Sequence, residues 1–209
     1  MLGCVLETVL AASERLQEAK AGQSSLELRV VARKSLAAYL HDALQERFQR
    51  AQGTWCEDEA PRPLADTIRI GLQELPDEIQ GIAFLPGDQV GLRSDTLRRL
   101  VETFLQERPE FLVPLVEPLN SSNEPDPLDK PDPPDKPGMP GVIGSPVIFH
   151  RRYIPELLSL EGEQGGKRVL LRHRSKWTTY PVEAGFFTDV DTPEEYIRLA
   201  AHRRLGTFE

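Results

Sequence analysis

Three features predict an α/β fold with a doubly wound, mainly parallel sheet layered between helices. Two short apolar runs, Ile82-Ala83-Phe84-Leu85 and Phe111-Leu112-Val113-Pro114-Leu115-Val116, have no polar residue inside them, as expected for strands buried on both faces. Segments with apolar residues at helical spacing lie between such runs, so strand and helix alternate along the chain. The length, 209 residues, suits one domain able to bury a sizeable core, and residues 1–209 are read as a single domain.

From the amino end, Val5, Val9, Leu10 and Leu16 recur at helical spacing among alanines, and Gly22 supplies a stop, which predicts a helix over 4–20. Leu26 to Ala32 alternates apolar residues with Glu27 and Arg29 and reads as a strand. Leu36, Leu40, Leu44 and Phe48 share one stripe of a second helix. Gly53 to Pro63 is irregular, and Leu64, Ile68, Leu72 and Leu75 then mark a helix ending at Pro76. Ser94 or Asp95 caps a helix reaching Gln106, ahead of the strand 111–116. Val142 to Phe149 is a strand, Arg152–Leu160 and Lys167–Arg172 are helices, Trp177–Val182 is a strand, and Phe186-Phe187 a short one. Thr192-Pro193-Glu194-Glu195 combines an N-cap, a proline at the first helical position and two first-turn carboxylates, and predicts a helix to Leu205.

Between the two halves, 117–140 holds eight of the 18 prolines and six acidic residues with almost nothing apolar. Such a stretch cannot build a core of its own and reads as a flexible linker or insert. Charged residues are 28% and apolar ones 39%, ordinary for a soluble protein, and no apolar run approaches the roughly 20 residues that span a bilayer, so no membrane partner is expected. Met1 to Ala12 is apolar but lacks a basic leader and is broken by Glu7; it reads as a buried helix and not as a signal peptide, which implies a cytoplasmic protein. Cys4 and Cys56 have no second Cys or His at ligand spacing and read as incidental thiols. A net charge of -8 argues against nucleic acid as a partner. The basic groups Arg151-Arg152 and Lys167 to Lys176, with His150, His173 and His202 among basic residues, read as solvated surface.

Candidate chemistry sits where carboxylates end apolar runs. Leu85-Pro86-Gly87-Asp88-Gln89 puts Asp88 just after a buried strand, where open α/β sheets present ligands to their crevice. Its carboxylate suits a hard cation such as Mg²⁺; the plain alternative is an Asp that only stabilises a turn. Asp189 and Asp191 are two apart in Asp189-Val190-Asp191-Thr192-Pro193, so in an extended segment they point to opposite sides. One can face a metal while the other caps the helix that follows. Gly144-Ser145-Pro146-Val147-Ile148-Phe149 lies between these two acidic segments in sequence.

In this order the three segments resemble those of the MobA-like nucleotidyltransferases, particularly the branch that joins CTP to molybdopterin for molybdenum hydroxylases. That family has a strand ending in Gly-Asp-Gln-Pro, a later Gly-x-Pro-hydrophobic-hydrophobic-Phe segment, and a closing Asp-Ile-Asp-Thr-Pro-Glu-Asp. The resemblance implies a Rossmann-like nucleotidyltransferase fold in which Asp88 and Asp189 hold Mg²⁺ and serve catalysis, their oxygens converging to within roughly 6 Å for metal bonds of about 2.1 Å. Gln89 follows Asp88 as in the family and is implied to bind the ligand beside it, while Val90 stands where the family usually has Pro. Gly144 and Pro146 are implied to shape the crevice. Thr67-Ile68-Arg69-Ile70-Gly71-Leu72 resembles the family's Ser-Leu-Arg-Ala-Gly-Leu, whose preceding loop contacts the base; this points to Asp66 and Thr67, although Pro63-Leu64-Ala65-Asp66 lacks that loop's glycine. Gly162 to Arg168 resembles Gly-Asp-x-Gly-Ala-Arg on the pterin side, with Lys167 in place of Arg.

The chain departs from the family at its start. Family members open with an apolar strand and a Leu-Ala-Ala-Gly-x-Ser-x-Arg-Met-Gly loop followed by Lys, which cradles the triphosphate. Here Met1 to Ala21 resembles the helix that comes after that loop, so the expected sheet is missing its first strand and exposes the neighbouring edges, which a homodimer or a rearrangement would cover. If active, the expected reaction is CTP plus molybdopterin giving the dinucleotide and pyrophosphate. The alternatives are a non-catalytic accessory protein that binds the cofactor or a molybdenum hydroxylase, and a sugar-phosphate nucleotidyltransferase on the same scaffold.

Overall fold

The computed structural model describes residues 1–19, 26–57, 62–116, 142–183 and 185–188; the proline-rich insert and the segment from Asp189 onward, including the helix expected from Thr192, lie outside them. In chain order the elements are α1 (Leu2–Ala19), β1 (Arg29–Ala32), a 3-10 turn (Lys34–Tyr39), α2 (Asp42–Arg50), β2 (Thr54–Glu57), α3 (Leu64–Gly71), β3 (Gly81–Ala83), α4 (Ser94–Glu107), β4 (Phe111–Val116), β5 (Val142–Ile143), β6 (Ile148–His150), α5 (Ile154–Leu158), α6 (Gly166–Arg172) and β7 (Trp177–Pro181). Strand and helix alternate as the sequence predicts. The stretch read as irregular contains β2, and the helix read over 36–48 is divided into a 3-10 turn and α2. The side chain of His41 makes that division, since its ring nitrogen accepts from the Leu44 amide at 3.2 Å and caps α2. Among the described residues no helix is long and apolar enough to cross a membrane.

The strands form two sheets. β1 and β2 pair in parallel, with Val30 opposite Trp55. The other sheet has five strands, and in it β4 is flanked in parallel by β7, with Phe111 opposite Trp177 and Leu115 opposite Pro181. Because β7 covers that whole edge, β5 and β6 share the other edge of β4, both antiparallel to it, and β3 lies antiparallel beyond β6. Thus β3, β4 and β7 run one way, while β5 and β6 run the other.

Period-2 alternation along β4 sets the two faces. Phe111 and Val113, both 0% exposed, point to a core built with Ala65 and Ile68 of α3, Leu72 at its carboxyl cap, Leu157 of α5, and Val169 and Leu170 of α6. Leu112, also 0% exposed, points the opposite way, to Val5, Val9 and Ala12 of α1 and to Leu97, Leu100 and Phe104 of α4. Burying each such side chain contributes about 1.5–3 kcal/mol. The result is three layers, with helices on both faces of the sheet.

Helix α1 carries two stripes for a physical reason. Val5, Val9 and Ala12 face the five-stranded sheet, whereas Leu6 and Leu10 pack with Val30, Leu40, Leu44 and Phe48 over the two-stranded one. On the opposite face α3 spans the same junction: Ile68 and Leu72 belong to the first core, and a methyl group at Gly71 would lie 3.1 Å from Val31. These two helices join the sheets, and among the described residues no strand pairs β1 to β3.

The segment read as one strand, 142–149, is interrupted. Leu115 pairs with Ile143 and Leu112 with Ile148, so four residues, Gly144 to Val147, stand opposite two on β4. This is a bulge, which suits Pro146 because it has no amide hydrogen for the ladder; the Ser145–Pro146 peptide is cis. On the far side of the sheet, Gly81 lets β3 approach α4, since a side chain there would meet the Phe104 ring at 2.5 Å.

Candidate active site

The strand directions bring Asp88, Gly144 and Pro146 to one end of the sheet. Asp88 follows the carboxyl end of β3, the Gly144–Val147 bulge precedes antiparallel β6, and the loop after β7 holds Gly185 to Thr188, so all three meet at that end. Asp88 lies partly buried in a turn, beyond Pro86 and Gly87. Gly87 sits against the amino end of α1, where a methyl group would lie 3.6 Å from the Leu2 side chain. Helix α1 has no acidic residue in its first turn, so nothing there offsets the positive end of its dipole.

Gln89 ties these segments together. Its side-chain nitrogen donates to the Ser145 carbonyl at 2.6 Å and to the Phe186 carbonyl at 3.2 Å. Its own oxygen is buried without a partner. The Gly91 amide adds a bond to the Thr188 carbonyl at 3.0 Å. Pro146 is buried in the bulge, and Gly144 faces the Phe187 ring, which a methyl group would meet at 2.8 Å.

A second group assembles at the start of α3. The Ala65 amide donates to the Gly162 carbonyl at 3.0 Å, and the Leu64 amide to the Glu163 carboxylate at 3.4 Å. The start of α3 and the segment 162–163 are therefore neighbours. Asp66 is held by an ion pair to Arg69, which also donates to the Leu160 carbonyl at 3.0 Å. Thr67 is partly buried, and Lys167 is exposed in the first turn of α6. Gly166 connects this group to the first, because it packs on Phe149 of β6 and on Phe84, four residues before Asp88. Asp189 and Asp191 lie outside the described residues, and among those described no group of three His, Cys, Asp or Glu side chains could hold a metal.

The strongest ionic network is at the opposite end, where β4 begins. Tyr153 and Lys176 both donate to one oxygen of Glu110, the lysine at 3.0 Å, and Arg152 reaches the other oxygen at 3.3 Å. The Tyr153 bond and then the Lys176 bond hold the Glu110 carboxyl below the usual range. Burial, followed by its bond to Glu110, pushes the Tyr153 hydroxyl up, so it is not an activated nucleophile. His173, read as surface from the sequence, pairs with Glu156 at 2.8 Å and stacks on Phe111 at 5.7 Å between centroids. Burial, with Arg152 next, lowers the His150 pKa. Neither Cys4 nor Cys56 is in a disulfide, and burial raises the Cys56 thiol.

The sequence reading did not single out Gly91, Phe186 or Thr188 as partners of the Asp88 turn. The only local signal was a glycine three residues after Asp88, which has many ordinary explanations.

The MobA-like NTP transferase domain family matches residues 9–177. The chain belongs to that family. Its fold is accordingly that of the Rossmann-like nucleotidyltransferases, and several solved structures share it. Rv0371c from Mycobacterium tuberculosis H37Rv superposes with a TM-score of 0.58 at 21% identity, over 92% of this chain and 84% of that one. The same protein complexed with manganese gives 0.55 at 20% identity, over 91% and 85%. The 4-diphosphocytidyl-2C-methyl-D-erythritol synthase of Anaerococcus prevotii DSM 20548 gives 0.63 at 14% identity, over 96% and 86%. No curated protein sequence matches the chain. Family membership defines a nucleotidyltransferase domain, and open α/β sheets in general bind ligands outside the carboxyl ends of their strands, the end of β3 beyond which Asp88 lies.

Proposed function

We propose that this MobA-like protein transfers CMP from CTP to molybdopterin, working as one domain over residues 1–209 with a divalent cation, Mg²⁺, held by Asp88 and Asp189. The observation that carries the reading is the position of Asp88. It stands at the end of β3 beside the amino end of α1, and among the described residues no ion pair or side-chain hydrogen bond engages its carboxylate. A metal–triphosphate needs both features: an oxygen ligand for the hard cation and a helix amino end for the anion. Mg²⁺ is commonly held by one or two carboxylates plus substrate phosphates, which fits Asp88 with Asp189 and not a closed protein cage.

In this reading a phosphate oxygen of molybdopterin attacks the α-phosphorus of CTP, the bond to the β-phosphate oxygen breaks, and pyrophosphate leaves. The cation supplies neutralisation of charge on the phosphates. Gly144 and Pro146 form a wall of the crevice, Asp66 and Thr67 border the base, and Lys167 lies toward the pterin. The cytidyl group in the synthase's name and the manganese in Rv0371c support a cytidine nucleotide and a divalent metal. A second reading is a non-catalytic relative that binds the cofactor or a molybdenum hydroxylase.

Calorimetric titration with CTP and GTP, each with Mg²⁺, separates the two. Magnesium-dependent CTP binding that disappears in Asp88→Asn is the expected result. If neither nucleotide binds, the non-catalytic reading replaces it.

A further inference from the structure

We infer that Gln89 is a positioning residue that fixes Asp88 against the two segments completing the site, without itself touching the ligand. The inference rests on the reading of Asp88 as a metal carboxylate and says how its place is held.

Gln89 is a polar side chain only 2% exposed. Its two amide hydrogens go to carbonyls 56 and 97 residues away in sequence, Ser145 at 2.6 Å and Phe186 at 3.2 Å. With carbonyls on that side, the nitrogen must face them, so the amide has one orientation. The price is an oxygen buried with no partner. A residue retained for packing alone would be a methionine or a leucine, which fills similar space and leaves no orphaned acceptor. The two donors are what an amide supplies here and an apolar side chain does not.

Each of the three connected segments bears on the site. The Asp88 turn precedes Gln89 directly. Ser145 belongs to the bulge of Gly144 and Pro146. Phe186, 0% exposed, anchors residues 185–188, and the Gly91–Thr188 bond ties the same stretches of chain a second time. Fixing these segments from one buried side chain preorganises the Asp88 carboxylate before metal and nucleotide arrive.

The test compares wild-type protein, Gln89→Met and, as a stability control in the opposite core, Leu157→Ala. Hydrogen exchange is followed at 142–150 and 185–188, and CTP binding is titrated against Mn²⁺. The expected result is faster exchange at both segments in Gln89→Met, with at least tenfold more Mn²⁺ needed for half-maximal CTP binding. Leu157→Ala lowers the melting temperature without moving the metal titration. An unchanged metal titration in Gln89→Met overturns the positioning role, as does unchanged exchange at both segments. If Gln89→Met does not fold, the wild-type side-chain amide decides by NMR: slow exchange of both protons and a shift on adding Mg²⁺ with CTP support the role, and rapid exchange overturns it. Absence of metal–CTP binding by the wild-type protein would instead be a failure of the nucleotidyltransferase reading, and exchange at the two segments would then judge the tie alone.

Discussion

The Gly91 amide donates to the Thr188 carbonyl at 3.0 Å, and the two segments cross so closely that a methyl group at Gly91 would lie 2.0 Å from the Gly185 carbonyl oxygen and 2.9 Å from Thr188 Cβ. The nearest atom belongs to the backbone, which cannot rotate away as a side chain can. Gly91→Ala must therefore push the segment before Asp189 away from the Asp88 turn. The expected cost is about 1–3 kcal/mol, the range for overpacking a closed site. For a chain of this size that lowers the melting temperature by roughly 2–4 °C per kcal/mol, read by thermal unfolding. A melting temperature equal to wild type would show that the crossing is looser than these distances.

The Glu110 network gives the protein an acid-sensitive end. With its carboxyl held below the usual range by Tyr153 and Lys176, folded Glu110 stays ionised where the unfolded chain would protonate it. That contribution is fully present above the ordinary glutamate value of about 4.3 and is lost as the pH falls through the lower folded value. Wild-type protein should therefore melt above Glu110→Gln at pH 6, with the gap narrowing toward pH 3. A gap that widens on acidification would contradict the assigned direction.

Phe111 is the aromatic centre of the first core. Its ring lies 4.3 Å from Tyr153, 5.6 Å from Phe149 and 5.7 Å from His173, measured between centroids, and it is 0% exposed. Phe111→Ala leaves a cavity at the point where β4, β6 and α6 converge. A loss of about 3–5 kcal/mol is expected in denaturant unfolding. A loss below about 1 kcal/mol would mean that the core collapses around the vacancy.

Much of the fold was legible because it depends on local pattern. Strand 111–116 runs over the residues read from its apolar run, and α4 ends at Glu107, one residue past the expected Gln106. The alternation of Phe111 and Val113 against Leu112 already contained the two faces. Asp88 lies beyond the carboxyl end of β3, but that strand ends at Ala83, two residues before the apolar run 82–85 does, and its residues are only partly buried where the run predicted burial on both faces. The Asp189 segment remains an expectation from its sequence, since it lies outside the described residues.

Other features depend on residues that meet only in three dimensions. Helix α4 was expected to be capped by Ser94 or Asp95, yet both lie inside it and its N-cap is Arg93, whose side chain makes no capping bond; Glu183 accepts from the Thr96 hydroxyl in the first turn, with both oxygens 2.9 Å away. The strand read over 142–149 breaks into a bulge because β4 offers two residues where that segment has four. Gln89 looked like a ligand-binding neighbour of Asp88, and its burial and two carbonyl partners come from segments 56 and 97 residues away. By itself the sequence determined where α1, α4, α6, β4 and β7 run to within a residue or two, because periodicity and turn chemistry act over a few residues. Only the tertiary structure decided how α1 and α3 bridge two sheets and how one buried amide ties the Asp88 turn to its neighbours, because packing and hydrogen-bond partners are chosen by proximity in space and leave no local trace in the chain.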